Sequence, residues 1–288
     1  MASFFVCRNY RMLLGGKSRV MGILNVTPDS FSDGGLYHSP EKALTHALQM
    51  QAMGADIIDI GAESTRPGAD ILSEKEELER LQQYLPLLQR NLSVPLSIDT
   101  FYPGCAEYAL KHGVSIINDI SGKVQKDMGI LAGRYGAGLI VVHNPGGIHG
   151  ASARIDTPDL LTDVRCFFIH CQQEYRRMGV SPDSICYDPG IGFGKNQEQN
   201  LELIRYLQDL KPHPASCVLC GASRKRFIGS ICRENQATER DPGTVAAHTL
   251  AIAGGADIIR VHNVHAGIQT VRMADAICRA NVCRNPEI

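Results

Sequence analysis

Nine residues of this chain hold positions that invite chemistry. Asn25, Asp59, Asp99, Asn118, His143, Asp188, Ser223 and the pair Arg260 and His262 stand at or near the C-terminal ends of eight short apolar runs. Strand ends meet water, so one or two polar residues there need no explanation. Eight in succession, five of them ending in Asp or Asn, do. If they converge beside the Asn118 amide, the Asp99 and Asp188 carboxylates would repel and desolvate at a cost of several kcal/mol unless a ligand satisfied them. A metal ion is one answer, although the oxygens are spread over separate runs and lack the His partners usual for zinc or iron. A flat heterocycle with an amidine-like edge is the other. Its parallel N–H pair suits a carboxylate, while Asn both donates and accepts. The heterocycle is the better chemical match.

The basic groups are local. GASRKRFIG places Ser223, Arg224, Lys225 and Arg226 at an expected helix start, where N–H groups and cations favour an anion. A solvated surface accounts for such a cluster equally well, but its place directly after an apolar run favours a site. In RVH, Arg260 and His262 alternate to one face and suit a phosphate clamp. DPGIGFGKN matches neither common nucleotide-binding glycine pattern, and its glycines would let Phe193 and the backbone approach a ligand closely. The stretch MGILNVTPDSFSDGG runs from an apolar segment into far more small polar residues than a turn needs.

Eight β-type runs position these groups: 20–26, 55–62, 95–100, 115–120, 138–143, 184–190, 216–223 and 256–262. Most are continuous Val/Ile/Leu stretches, as expected of parallel strands covered on both faces. Helical patterns separate them. SPEKALTHALQMQAMG has Ser39 as N-cap, Pro40 in the first turn and Gly54 as stop, and DPGTVAAHTLAIAGG repeats this grammar with Asp241 as cap and Gly254 as stop. The charged run Glu74 to Arg80 reads as a solvated helix face. Eight strands alternating with helices predict an α/β fold, a (β/α)8 TIM barrel, with an open doubly wound sheet as competitor. Residues 1–19 are expected to form an arm or hairpin closing the bottom, and 20–288 the single barrel domain. The polar ends then converge on one mouth.

The 288 residues are 44% hydrophobic with net charge -1, which gives no reason to expect nucleic acid or a membrane surface as partner. No apolar run approaches the ~20 residues of a membrane helix, and Arg8 and Arg11 break the one early apolar stretch, so a cytoplasmic protein is expected. Ten cysteines lie mostly in strand-like and helix-like runs and read as buried, reduced thiols. Cys217 and Cys220 have a redox spacing, yet on a strand residues three apart point to opposite faces.

MGILNVTPDSFSDGG and IDIGAESTRPGA resemble the two signature stretches of the bacterial dihydropteroate synthase family, and NDI, DPGIGFGKN, SRK and RVH are similar to its later motifs. The match runs in order from about residue 20 to 275. The resemblance implies a barrel that joins 6-hydroxymethyl-7,8-dihydropterin diphosphate to 4-aminobenzoate, releasing diphosphate and forming dihydropteroate, in a family targeted by sulfonamides. It implies that Asp99, Asn118, Asp188 and Lys225 hold the pterin, with Thr65, Val261, Arg260 and His262 around the pterin diphosphate. It implies that Asn25 helps hold Mg2+, and that Thr65, Arg66, Pro67, Phe193 and Ser223 line the 4-aminobenzoate site. Lys225, Asp99, Asp188 and Arg260 become the catalytic set, and the opening loop a lid. The implied reaction breaks the C–O bond at the pterin methylene ahead of attack, so nearby carboxylates would stabilise a transient cation. A homodimer is also implied.

Three positions depart from the family pattern. The fifth run reads VVHNPGG where a Met-His-Met type stretch is usual, Ala62 stands where glycine is common, and Asn263 where aspartate is common. Two rivals are a methyltetrahydrofolate-corrinoid methyltransferase and a non-catalytic pterin-binding paralogue. Neither needs the opening signature together with the diphosphate clamp.

Overall fold

The computed structural model describes residues 3–26, 39–63, 72–147 and 157–279. An antiparallel hairpin, β1 (Phe4–Cys7) and β2 (Tyr10–Leu13), precedes eight parallel strands. These are β3 (Arg19–Asn25), β4 (Ile57–Gly61), β5 (Leu96–Asp99), β6 (Ile116–Asp119), β7 (Gly138–Val142), β8 (Ile185–Asp188), β9 (Cys217–Cys220) and β10 (Ile258–Val261). They close in the order β10-β3-β4-β5-β6-β7-β8-β9, so every expected strand is present in the (β/α)8 barrel. The intervening helices are α1 (Pro40–Met53), α2 (Glu74–Asn91), α3 (Pro103–Lys111), α4 (Lys126–Tyr135), α5 (Leu160–Arg177), α6 (Gln197–Arg205), α7 (Arg226–Cys232) and α8 (Asp241–Ala253), followed by α9 (Val264–Cys278).

The interior is sorted along the barrel axis. Met21, Ile57, Ile116, Cys186, Cys217 and Ile258 form an apolar lower cluster with Phe5, Cys7 and Met12 of the hairpin. Gly138 is required here, because a Cβ on it would lie 2.8 Å from Phe5 and 2.9 Å from Cys7. The hairpin therefore stoppers the bottom, and the mouth is left to the polar residues. Cys217 belongs to this inner cluster and Cys220 to the outer layer under the helices, so the two sulfurs diverge as expected. The nine described cysteines are all free.

The helix signals hold with two corrections. Ser39 caps α1 by accepting from the Lys42 amide, and Gly54 ends it in the left-handed conformation at φ 104. Asp241, however, is the first residue of α8 and not its cap, because a one-turn 3-10 helix, Thr238–Arg240, runs directly into it. Its carboxylate serves elsewhere, as shown below. The charged run is not a uniformly solvated face either. Ser73 and Glu76 form a reciprocal capping box, Glu74 accepts from the Gly104 amide, and Glu77 is 1% exposed. Spacing alone could not show that Glu77 turns inward beside Glu63 and Thr100.

Burial, reinforced by Glu63 and Asp99, raises the Glu77 pKa to about 7 although Thr100 and Cys105 oppose the shift. A carboxyl whose folded pKa lies above its unfolded value favours the native state below pH ~4.5, and that advantage is lost as pH rises toward the folded value. Glu77→Gln, of the same shape and never charged, should therefore stabilise the protein at pH 8 by on the order of 2 kcal/mol and make little difference at pH 4. Thermal melts at the two pH values test this. A variant that is less stable at pH 8 would show that the Glu77 charge is satisfied.

Candidate active site

In parallel strands, residues in register share a face, and Gly61, Asp99 and Asn118 are in register across β4, β5 and β6. Asp59 lies one inward position below Gly61. Across the mouth, Arg260 of β10 donates from Nε to Asp59 Oδ2 at 2.7 Å and from Nη2 to Asp99 Oδ2 at 2.7 Å. Asn118 Nδ2 donates to the same Asp59 Oδ2 at 3.1 Å. Asp59 Oδ1, Asp99 Oδ1 and Asn118 Oδ1 are buried and have no hydrogen-bond partner among the described residues. Three orphaned acceptors in one cavity wall present a surface that calls for N–H donors, since an unmet buried acceptor costs roughly 1–3 kcal/mol.

Asp188 closes the opposite wall, its Oδ1 accepting from the Gly190 amide at 2.7 Å. Burial raises the pKa of Asp188, opposed by that bond and by Lys225 and Arg260. Burial likewise raises that of Asp99, with Arg260 opposing and Asp59 assisting. Burial works against the Arg260 cation, but Asp59 and Asp99 outweigh it and hold the guanidinium firmly charged. Lys225 places its Nζ 4.4 Å from the centre of the Phe193 ring. Burial and then the nearby Arg260 charge lower the Lys225 pKa to about 8, against Asp188 and Asp99.

The glycine-rich loop after β8 is shaped by the site's own backbone. Gly190 has φ +67, and a Cβ there would lie 2.1 Å from the His143 carbonyl oxygen; Gly192 has φ +84, and a Cβ would lie 3.0 Å from Lys225 Cδ. Lys195, to which sequence reasoning gave no role, donates to the carbonyls of His143, Gly190 and Phe193 at 2.9, 3.1 and 3.1 Å. It laces the loop to the end of β7 and so sets where the Phe193 ring stands. His143 is buried in the same wall with its ring edge-on to Phe167, and burial, then Lys195, lowers its pKa to about 3. Where the family pattern has a methionine, Asn144 donates to the carbonyls of Ile120 and Gly147 and ties β7 to the β6 loop.

The basic cluster divides. Lys225 alone reaches the mouth, Arg224 turns back to Asp241, and Arg226 is exposed. Ser223 Oγ accepts from the His262 amide at 3.1 Å and lies 2.9 Å from His262 Nδ1, so the expected anion contacts of β9 and β10 meet each other directly. The Val261 side chain packs outward with Val264 and Val271, which leaves only its backbone for a ligand. Asn25 stands at the rim, its Oδ1 3.3 Å from where a Gly61 Cβ would be. Thr65, Arg66 and Pro67, and the loop from Thr27 onward, lie outside the described residues. Asp59 was visible as a polar strand end, but its part as the shared acceptor for Arg260 and Asn118 needed the closed barrel.

The barrel mouth thus holds the Asn25 amide at its rim, the Ser223 hydroxyl against His262, and a wall of buried acceptors from Asp59, Asp99 and Asn118. The family model described as pterin binding enzyme matches residues 21–262. The dihydropteroate synthase of Synechocystis sp. is 45% identical over 266 residues, covering 92% of each chain. The chain belongs to the dihydropteroate synthases. The structure of the Yersinia pestis dihydropteroate synthase with a sulfonamide drug complex superposes with a TM-score of 0.89 at 36% identity, covering 96% of this chain and 99% of that one. That of Burkholderia cenocepacia, complexed with 7,8-dihydropteroate, gives 0.87 at 36%, covering 98% and 99%. The corrinoid methyltransferase and non-catalytic readings are thereby set aside.

For a dihydropteroate synthase built this way, kcat/KM should fall as pH rises through about 8, because Lys225 loses its proton there. Lys225→Arg keeps the charge at alkaline pH and should move that limb upward. Comparing the two profiles cancels any titration of the substrate. Superimposable alkaline limbs would remove Lys225 from the titrating set.

Proposed function

We propose that this dihydropteroate synthase carries out its condensation with the pterin ring of 6-hydroxymethyl-7,8-dihydropterin diphosphate against Asp99, Asn118 and Asp188. The reading rests on one observation: Asp99 Oδ1 and Asn118 Oδ1, without partners among the described residues, side by side on adjacent strands. An amino-pyrimidinone edge supplies the donors those oxygens lack, and Lys225 meets the ring's acceptor. The diphosphate points up toward His262 and Arg260, and 4-aminobenzoate lies between the Phe193 ring, Ser223 and the Thr65–Pro67 segment.

The carboxylates then act on the reaction itself. As the methylene C–O bond lengthens, positive charge spreads into the pterin, and Asp59, Asp99 and Asp188 surround it in a buried setting. Charge that appears only in the transition state is what such fixed groups stabilise most. His262 and Arg260 receive the departing diphosphate. The aromatic amine is a weak nucleophile, so its placement against Phe193 matters more than a strong base. Mg2+ suits the rim: Asn25 offers one neutral oxygen donor and the diphosphate would supply others, in keeping with a cation that keeps few protein ligands. When bound it would neutralise diphosphate charge.

We place the enzyme in the cytoplasm as a homodimer. No helix among the described residues is long and apolar enough to cross a membrane. Leu250 of α8 and Met273 and Ile277 of α9 are roughly two-thirds exposed, and they offer an apolar surface for a second copy.

Incubation with the pterin diphosphate, Mg2+ and labelled 4-aminobenzoate should yield labelled dihydropteroate. Asp188→Asn should lower kcat/KM by the equivalent of about 2–4 kcal/mol, the worth of a charge-assisted contact to a buried heterocycle. Near-normal turnover in the folded variant would mean the ring binds elsewhere.

A further inference from the structure

The Arg224 backbone has φ 57, in the left-handed region that is strained for a non-glycine residue. A strained turn persists only where its surroundings hold it, and here three groups do. The Arg224 amide donates to Thr244 Oγ1 at 3.0 Å, and its carbonyl accepts from Arg240 Nη1 at 3.1 Å. Its guanidinium forms a two-pronged pair with Asp241, Nε to Oδ1 at 2.7 Å and Nη2 to Oδ2 at 2.9 Å. Asp241 Oδ2 also accepts from Asn263 Nδ2 at 2.9 Å, and Asn263 Oδ1 in turn caps α9 by accepting from the Ala266 amide at 3.1 Å. One carboxylate at the start of α8 thus fastens the residue after Ser223 to the residue after His262.

Burial disfavours the charge on Asp241, but bonds from Arg224 and Asn263 and the charges of Arg224 and nearby His262 more than offset it, so its pKa falls below the ordinary value. The carboxylate is charged at any working pH. Asn263, which departs from the family pattern, is the residue type this arrangement demands. An amide caps a helix with its oxygen and donates to a carboxylate with its nitrogen, whereas an ionised aspartate does only the first.

We propose that Asp241 and Asn263 are positioning residues of the anion seat, a bracket outside the pocket that fixes the Ser223 hydroxyl against His262 and holds the strained turn delivering Lys225. This rests on the reading of Ser223, Lys225 and His262 as substrate contacts given above. The bracket explains why Arg224, the first residue of a basic cluster, faces away from the mouth. It also makes residue 263 sensitive to charge in a way that capping alone does not.

Asn263→Asp separates the two roles. Aspartate caps a helix as well as asparagine, so a residue that only caps α9 would leave the enzyme unchanged at every pH. If the bracket acts, the new carboxyl faces Asp241, with Arg224, Arg240 and His262 as the charged groups around it. At low pH a proton shared by the two carboxyls preserves the link. As pH rises and that proton leaves, they repel, and KM for the pterin diphosphate should climb about tenfold relative to wild type, with kcat changing less. Adding Asp241→Asn removes the like-charge pair and should abolish the extra pH dependence. A KM–pH profile of Asn263→Asp that overlays the wild type, or one that persists in the double variant, overturns the proposal. His262→Ala run alongside keeps the failures apart. Unchanged KM in that variant sinks the anion seat itself, while a raised KM there beside a flat Asn263→Asp profile sinks only the bracket.

Discussion

Arg260 reaches from β10 across the barrel mouth to lie between Asp59 and Asp99, 2.7 Å from each carboxylate. Asp59 is fully buried, and a lone charge at such depth would be untenable. Two negative groups facing one cation leave a surplus of acceptor oxygen, and that surplus is what the site offers a ligand. The same arrangement restricts the chemistry. Removing Arg260 would leave two buried carboxylates uncompensated, at a cost of about 3–5 kcal/mol. The triad therefore links three strands through one cation and leaves a wall rich in hydrogen-bond acceptors.

The rest of the mouth is organised around keeping that charge dry and correctly placed. Below, the N-terminal hairpin fills the barrel with Phe5, Cys7 and Met12, so the polar layer sits on an apolar floor. To one side, Lys195 gathers three carbonyls and holds the glycine-rich loop against β7. To the other, Asp241 joins the ends of β9 and β10. In the last two cases a side chain outside the acceptor wall ties down a loop or strand end beside it. Such support suits a reaction in which fixed electrostatics and placement outweigh acid–base chemistry.

Much of this was legible in the chain. Continuous Val/Ile/Leu runs announce strands covered on both faces, their number announces a closed barrel, and closure brings every strand end to one mouth. Asp99, Asn118 and Asp188 could be placed at the mouth because each stands at the end of a parallel strand, and Lys225 because it stands at a helix start soon after one. Ser39 and Gly54 marked their helix ends because capping chemistry is local.

What only the folded molecule decided depends on partners distant in sequence. Asp59 and Arg260 are 201 residues apart, and no spacing rule says that they pair. The charged run hid the inward turn of Glu77, since helix phase against the barrel depends on how α2 docks. Asp241 looked like a helix cap and is a bridge, because the chain before it already turns helically. Arg224 looked like one of three cations at a site and faces away, because a carboxylate on α8 satisfies it. Residue type and periodicity determine the barrel and where its mouth lies, for those are local and periodic properties. Which charges meet in that mouth is settled by long-range packing, where burial makes an unpaired charge too costly to leave.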